Sequence, residues 1–470
     1  MIPFYVYDLI FLVLFGVFTV VFLYNRRENL KRHGWIFLYH TKVGIKLIDW
    51  TANKFRRVLK PLSYVVIASG YILMGSILWL ITKSVWVYIT TPIPKQLQNL
   101  PPIAPLIPYF PKIFNLESLF PPLYFTYFLI ALAIVAVSHE FSHGIFARLY
   151  NIKVKTTGLA FFGPFFGAFV EPDEKKMAKA PKKDQLSILA AGTFANIVMF
   201  ALFGLVMWLF FALSFTPGGL IFNSYAQTVV NVSDITYVEN ISVRNIEDIS
   251  LSAKDGLNKI TIGGKNYLAP KEALSVESLQ KGKIVAFDDA PAINAKIEGA
   301  ITSIDGQPIR SHDELSEVLS VKRPGEIIRL ETINSDDKTN SYELRLAERN
   351  GKAYLGVGFF EAQTTGFRGL ISKFLTNIKD PSIYYKSTWD GNFVKFIYDL
   401  LWWIVIINIL VALMNMLPVS ILDGGRFFYL TVLAVTKSDK IAKKSYSWVT
   451  WFILLLLAAM MLRWFIVFVS

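Results

Sequence analysis

At 470 residues, 53% of them hydrophobic and only 18% charged, with a mean hydropathy of +0.43, the chain has room for more than one domain and the composition of a membrane protein. Its net charge of +13 would point to nucleic acid in a soluble protein, but the basic residues gather between apolar runs, as in cytoplasmic loops facing anionic lipid, which argues against a nucleic-acid partner. The absence of cysteine excludes disulfides and thiolate metal ligands and leaves His, Asp and Glu as the ligands available.

Residues 4–24 form an apolar run of spanning length with neither a basic start nor a small-residue cleavage site, which reads as a retained helix. Arg26, Arg27, Lys31 and Arg32 follow, and Lys42, Lys46, Lys54, Arg56, Arg57 and Lys60 continue the run, placing this loop inside and the N-terminus outside. Over 35–60 apolar and basic residues interleave, as in an interfacial amphipathic helix. A second span is expected over 63–89, then a proline-rich outer loop over 91–122, then a third span starting near 123. A lysine-rich inner stretch to 183 follows (Lys175, Lys176, Lys179, Lys182, Lys183). Within it, TGLAFFGPFFGAFV at 157–170 is too short and too glycine-rich to span, and reads as a hairpin dipping into the membrane. The fourth span covers 186–215. From 217 to about 392 the composition turns soluble, with short β-rich runs such as 259–262 and 327–332. Alternation of the spans places this region outside. The fifth span, 396–417, ends at Pro418; a basic loop (Lys437, Lys440, Lys443, Lys444) leads to the sixth, 448–469. All three basic loops then share one side, which supports six spans.

The chain has five histidines, at 33, 40, 139, 143 and 312. His139 and His143, four apart on the third span, share a helix face and can aim two imidazoles at one metal ion. Glu140 lies about 100° round the helix, beside the metal, where a base is needed. Ionisable groups at membrane depth are costly and read as functional by default, although a hydrogen-bonded pair of helix histidines is the plainer alternative. A zinc site of this kind needs a third protein ligand. His139 lies about 16 residues into its span, roughly 24 Å from the outer face at 1.5 Å per residue, toward the inner side. Asp423 sits just past the inner end of the fifth span, between Pro418 and Gly424-Gly425, where the helix breaks and backbone can approach closely. Its depth matches; the plainer reading is an Asp-Gly turn.

His139-Glu140-Phe141-Ser142-His143-Gly144, with Asn415-Met416-Leu417-Pro418 leading to Leu422-Asp423-Gly424, resembles the site-2 protease family of intramembrane metalloproteases. The resemblance implies His139, His143 and Asp423 as zinc ligands and Glu140 as the group that activates water. Gly192-Thr193-Phe194-Ala195-Asn196 is similar to the family's G-P-x-A-N stretch, with Thr193 at the proline position. Gly163-Pro164 and Gly167-Ala168-Phe169-Val170 resemble a hairpin that offers a strand edge to substrate. Substrate contacts are therefore expected at Asn196, Gly163, Pro164, Gly167 and Asn415; for Asn196, helix packing is an equal alternative. Asp289-Ala290-Pro291-Ala292, Gly299 to Ile309 and Tyr354-Leu355-Gly356-Val357 resemble a PDZ domain of the bacterial protease kind, with a helix from Asp313 and a strand after Pro324-Gly325-Glu326. The stretch 223–279 either completes that fold or forms a small β insert.

The expected fold is thus an α-helical polytopic membrane protein of about six transmembrane helices, with an inserted extracytoplasmic PDZ-like α+β domain and a membrane-dipping β-hairpin. Residues 1–121 supply two N-terminal helices, 122–216 a first catalytic half, 217–395 the PDZ-like domain, and 396–470 the second catalytic half and last helix. The implied activity is intramembrane zinc proteolysis of single-span membrane proteins after a first cleavage. The location implied is the plasma membrane of a prokaryote, with the active site toward the cytoplasm. A catalytically inactive membrane-protein binder and a metal transporter are the alternatives. The first has no need to keep both Glu140 and Asp423, and the second is expected to show paired repeats or a polar path through several spans.

Overall fold

In a computed structural model, residues 3–34, 36–90, 101–102, 106–117, 119–162, 165–334, 338–359 and 379–469 are described. The helices that matter here are α1 (Phe4–Asn25), α2 (Ile45–Lys54), α3 (Arg56–Thr90), α4 (Phe125–Leu149), α5 (Lys182–Ser214), α6 (Gly391–Asn415), α7 (Asp423–Thr436) and α8 (Asp439–Val469). All but α2 and α7 are long and apolar enough to cross a membrane, so the chain is a polytopic membrane protein. It divides into two units, 1–211 with 392–470, and 212–391.

In the helical unit α4 is the central element. One face near its start packs Tyr127, Ala131 and Val135 against Trp403, Ile404 and Ile407 of α6. Near its end Phe146, Ala147 and Leu149 pack with α3, α5 and α7 through Val66, Leu73, Ile188, Ala191 and Phe427. Close approach here depends on small residues, as is usual between membrane helices. A β-carbon at Gly70 of α3 would lie 3.1 Å from both Ala190 of α5 and Phe427 of α7. The end of α4 is closed by Asn151 at a positive φ of 61°, which lets Ile152 N donate back to Ala147 O at 2.9 Å.

Four antiparallel strands, β1 (Leu30–His33), β2 (Ile36–Thr41), β3 (Val154–Phe162) and β4 (Phe165–Pro172), form one sheet in that order. β3 and β4 are the expected hairpin, with Leu159 opposite Ala168. The expectation of one amphipathic helix over 35–60 is corrected: residues 36–41 are a strand registered on β3, with Leu38 opposite Ala160. Helix begins only at Ile45. The reason is pairing: Phe37, Tyr39 and Thr41 have high strand propensity, and β3 offers an edge. Gly158 of β3 makes that pairing possible, since a β-carbon there would run into Tyr39 O and the Phe169 ring. The helical remainder, α2, lies against α4; Ile48 is fully buried beside Gly144, and Asp49 pairs with Arg148.

Among its described residues the 212–391 unit holds two six-stranded antiparallel sheets with separate cores and two small two-stranded pairings, Ala347–Arg349 with Lys352–Tyr354 and Ser224–Tyr225 with Val357–Gly358. In the first, Gln227–Asn231, Lys283–Asp288, Lys265–Pro270, Leu257–Ile262, Ile235–Val238 and Ile241–Ser242 lie side by side over Val238, Ile260, Ala269 and Leu274. In the second, Thr339–Arg345, Ile327–Ile333, Ala300–Ile304, Phe215–Ile221 and Ile383–Ser387 are neighbours around Leu220, Ile301, Ile304 and Leu330. Residues 223–279 therefore belong mainly to a sheet of their own. The helix expected from Asp313 runs His312–Ser320 and is capped by Ser311, and the strand expected after Glu326 starts at Ile327.

Candidate metal centre

The helix that carries the two histidines starts on a cap from another helix. Asp8 of α1 is 1% exposed. It accepts hydrogen bonds from Phe125 N (2.6 Å), Thr126 N (2.9 Å), Thr126 Oγ1 (2.6 Å) and Tyr109 OH (2.6 Å). Tyr124, the residue at the cap position, supplies no side-chain bond. In an apolar setting unpaired helix-start N–H groups are costly, and a carboxylate there also meets the positive end of the helix dipole.

His139 and His143 face one another across one turn of α4, with Nε2 atoms 3.0 Å apart. Asp423 Oδ2, at the first residue of α7, lies 3.1 Å from His139 Nε2 and 3.2 Å from His143 Nε2. Ligand atoms about 2.0–2.1 Å from a tetrahedral zinc ion stand about 3.3 Å from each other, so these three atoms fit one triangular face of such a site. The donor set, two imidazole nitrogens and a carboxylate oxygen, is also one that zinc accepts. His143 Nδ1 donates to Ile188 O at 2.7 Å, a backbone acceptor that holds the proton on Nδ1 and leaves Nε2 bare for a metal.

Two backbone features make the convergence possible. On α5, Gly192 faces both rings: a β-carbon there would lie against His143 Nε2 and 2.6 Å from His139 Nε2. After α6 stops at Asn415, residues 416–422 turn tightly, with Leu417 N on Met414 O (3.0 Å) and Leu422 N on Val419 O (3.0 Å). Gly424 and Gly425 then pass so close that a β-carbon on either would strike the backbone of Met416 or Val419. The helix break expected at Pro418 is present. Unexpectedly from the residue pattern, Asp423 opens a new helix, α7, in which its carboxylate occupies the first turn.

Glu140 is half-buried, and its Oε2 accepts the Val170 N–H of β4 at 3.0 Å. Asn196 of α5 is fully buried, with its amide 3.1 Å from His139 Nδ1 and 3.4 Å from Ser138 Oγ. Thr193, at the position where proline is usual, bonds back to Ala190 O at 3.0 Å within the helix. Gly167 lies on β4 opposite Ala160, and a β-carbon on it would meet nothing within 4 Å. Asn415 is the last residue of α6. Gly163 and Pro164 lie outside the described residues. The Val170 N–H, the Ile188 carbonyl and the Asp8 cap were not read from the sequence. The first two are backbone groups with no residue signature, whereas an aspartate in an otherwise apolar first span was a visible signal.

Three ligand atoms meeting beside a glutamate, on a helix apolar enough to cross a membrane, define a metallohydrolase centre built into a membrane helix bundle. The model of peptidase family M50 matches residues 127–459, from the helix bearing the histidines into the last span. The chain belongs to that family, the zinc-dependent site-2 proteases, and is a metallopeptidase. It is also 28% identical over 287 residues, 59% of this chain and 69% of the other, to an uncharacterized protein of Methanocaldococcus jannaschii.

Proposed function

We propose that the chain hydrolyses peptide bonds inside the transmembrane segments of single-span membrane proteins, with His139, His143 and Asp423 holding zinc and Glu140 acting as the base. The observation that carries this is the convergence of the three ligand atoms to 3.0–3.2 Å with Glu140 adjacent on the same helix. Zinc, when bound, lowers the pKa of water and polarises the scissile carbonyl. Glu140 takes the proton of the attacking water and gives it to the leaving amine as the C–N bond breaks. The Val170 N–H holds one carboxylate oxygen of Glu140, which leaves the other to carry the proton.

A substrate helix has its backbone groups paired internally, so it unwinds before cleavage. β4 is the edge of its sheet, and Val170 N–H points off that edge to Glu140. An unwound segment adding to β4 as a further strand would be led to the base. Gly167 keeps this edge clear, and we place the hairpin dipping into the membrane; Gly163 and Pro164, which stand between β3 and β4 in the sequence, remain assigned to the substrate on the resemblance alone. Asn415 is assigned to the substrate because it immediately precedes the turn that delivers Asp423.

By alternation of the spans and the basic loops between them, the N-terminus and the 212–391 unit are extracytoplasmic and the metal centre lies toward the cytoplasm of a prokaryotic cell. The 212–391 unit is read as PDZ-like. Support comes from Gly356 at a φ of 90° in the Tyr354–Val357 turn and from the contact of His312, on the helix, with Phe359 at 5.0 Å. It is proposed to meet substrates that an earlier cleavage has shortened.

The test is proteolysis of a single-span substrate by the purified protein in liposomes. Cleavage within the hydrophobic segment, abolished by a zinc chelator and restored by zinc, is expected. Cleavage that survives metal removal, or falls only in water-exposed segments, would refute the reading.

A further inference from the structure

We infer that Asn196 is a positioning residue for the metal, acting through His139, whose Nδ1 proton it accepts. This rests on the assignment of zinc to the Nε2 atoms of His139 and His143 and to Asp423. A neutral imidazole that binds a metal through Nε2 carries its proton on Nδ1, and that N–H needs an acceptor. For His143 the acceptor is fixed, the backbone carbonyl of Ile188 at 2.7 Å. For His139 the facing group is the side-chain amide of Asn196, 3.1 Å away. Both residues are buried, His139 6% and Asn196 0% exposed.

An amide presents almost the same shape either way round, so its neighbours decide which end faces the ring. With Nδ2 toward His139, Nδ1 must be the bare acceptor. The ring proton then sits on Nε2, aimed into the space between His143 and Asp423, and no metal can bind. Turned by 180°, Oδ1 accepts the Nδ1 proton and Nδ2 meets Ser138 Oγ, 3.4 Å from the atom now facing it. Ser138 Oγ has one proton and a second neighbour, Val135 O at 3.1 Å. Giving that proton to Val135 O makes the hydroxyl an acceptor toward Asn196. The donor atoms His139 Nδ1, Asn196 Nδ2 and Ser138 Oγ then each have an acceptor in this chain, and Nε2 is bare. Thus His143 is set for metal by the backbone, while His139 is set by the orientation of one amide. Full burial and these two partners place the Asn196 side chain behind the metal ligand and away from substrate.

The experiment compares zinc affinity, by chelator competition, and the visible spectrum of the cobalt(II) form for full-length wild type, N196L, N196D and S138A in detergent. N196L removes the acceptor and is expected to loosen zinc by about 10–100-fold, whereas N196D keeps an oxygen at that place and stays within about threefold of wild type with an unchanged cobalt spectrum. S138A, which unties the far end of the amide, is expected to weaken binding a few-fold. Unchanged affinity in N196L overturns the inference, as does an equal loss in N196L and N196D, which would make Asn196 a packing residue. Where N196L does not fold, as judged by thermal unfolding of the metal-stripped protein, unchanged affinity in S138A overturns it instead. Wild type that binds no stoichiometric zinc would refute the metal site itself, a separate result.

Discussion

Gly192 shows how little of a metal site resides in its ligands. His139 and His143 reach one ion only because α5 has no side chain at the point where the two rings project. We therefore expect Gly192→Ala to weaken zinc binding by about tenfold or more, in the range of lost outer-shell support, while the protein still folds. Zinc titration with a competing chelator checks this; wild-type affinity would show that the rings have slack that the geometry denies. The ligands themselves were legible because side-chain chemistry at four-residue spacing is a property of sequence. Asp423 was legible through depth and through the glycines after it. The role of Gly192 was visible only as part of a recurring motif, and the Val170 N–H that holds Glu140 could not be seen at all, because every residue but proline carries that group.

At the scale of elements, the active-site helix depends on α1. The four hydrogen bonds to Asp8 close the start of α4 from outside its own sequence, and removing them leaves two backbone N–H groups unpaired in a buried place. Asp8→Ala is expected to cost about 2 kcal/mol, from the usual loss of a cap and of buried partners. Asp8→Asn, which keeps one acceptor oxygen, is expected to cost less. Thermal unfolding in detergent, with hydrogen exchange at residues 125–130, measures both; unaltered protection in Asp8→Ala would show that α4 closes its own end. The same scale holds the two misreadings of the sequence. Residues 36–41 satisfy helix and strand patterns equally well over so short a run, and the choice was made by a partner, β3, more than a hundred residues later. α7 was missed because Gly424 and Gly425 look like a turn; they serve instead as a backbone passage that lets a helix start against Met416 and Val419.

Over the whole molecule, six long apolar helices were readable from hydropathy and charge, since a bilayer permits few other structures. In the 212–391 unit the sequence showed a soluble, β-rich composition, the helix near 313 and the strand after 326. The separation of its two large sheets, each with its own core, follows from long-range strand pairing, which short windows of sequence do not encode. Two helices far apart in the chain, α4 and α7, whose ligands His139 and Asp423 are separated by 284 positions, supply the three ligand atoms on which the proposed function rests. The most direct test is to purify wild type and Glu140→Gln and measure, on the same samples, bound zinc and cleavage of a single-span substrate. One zinc per chain is expected in both proteins, with cleavage by wild type and a loss of at least about a hundredfold in the variant, the scale of general acid–base catalysis. Zinc retained with cleavage undiminished in Glu140→Gln would contradict the proposed function.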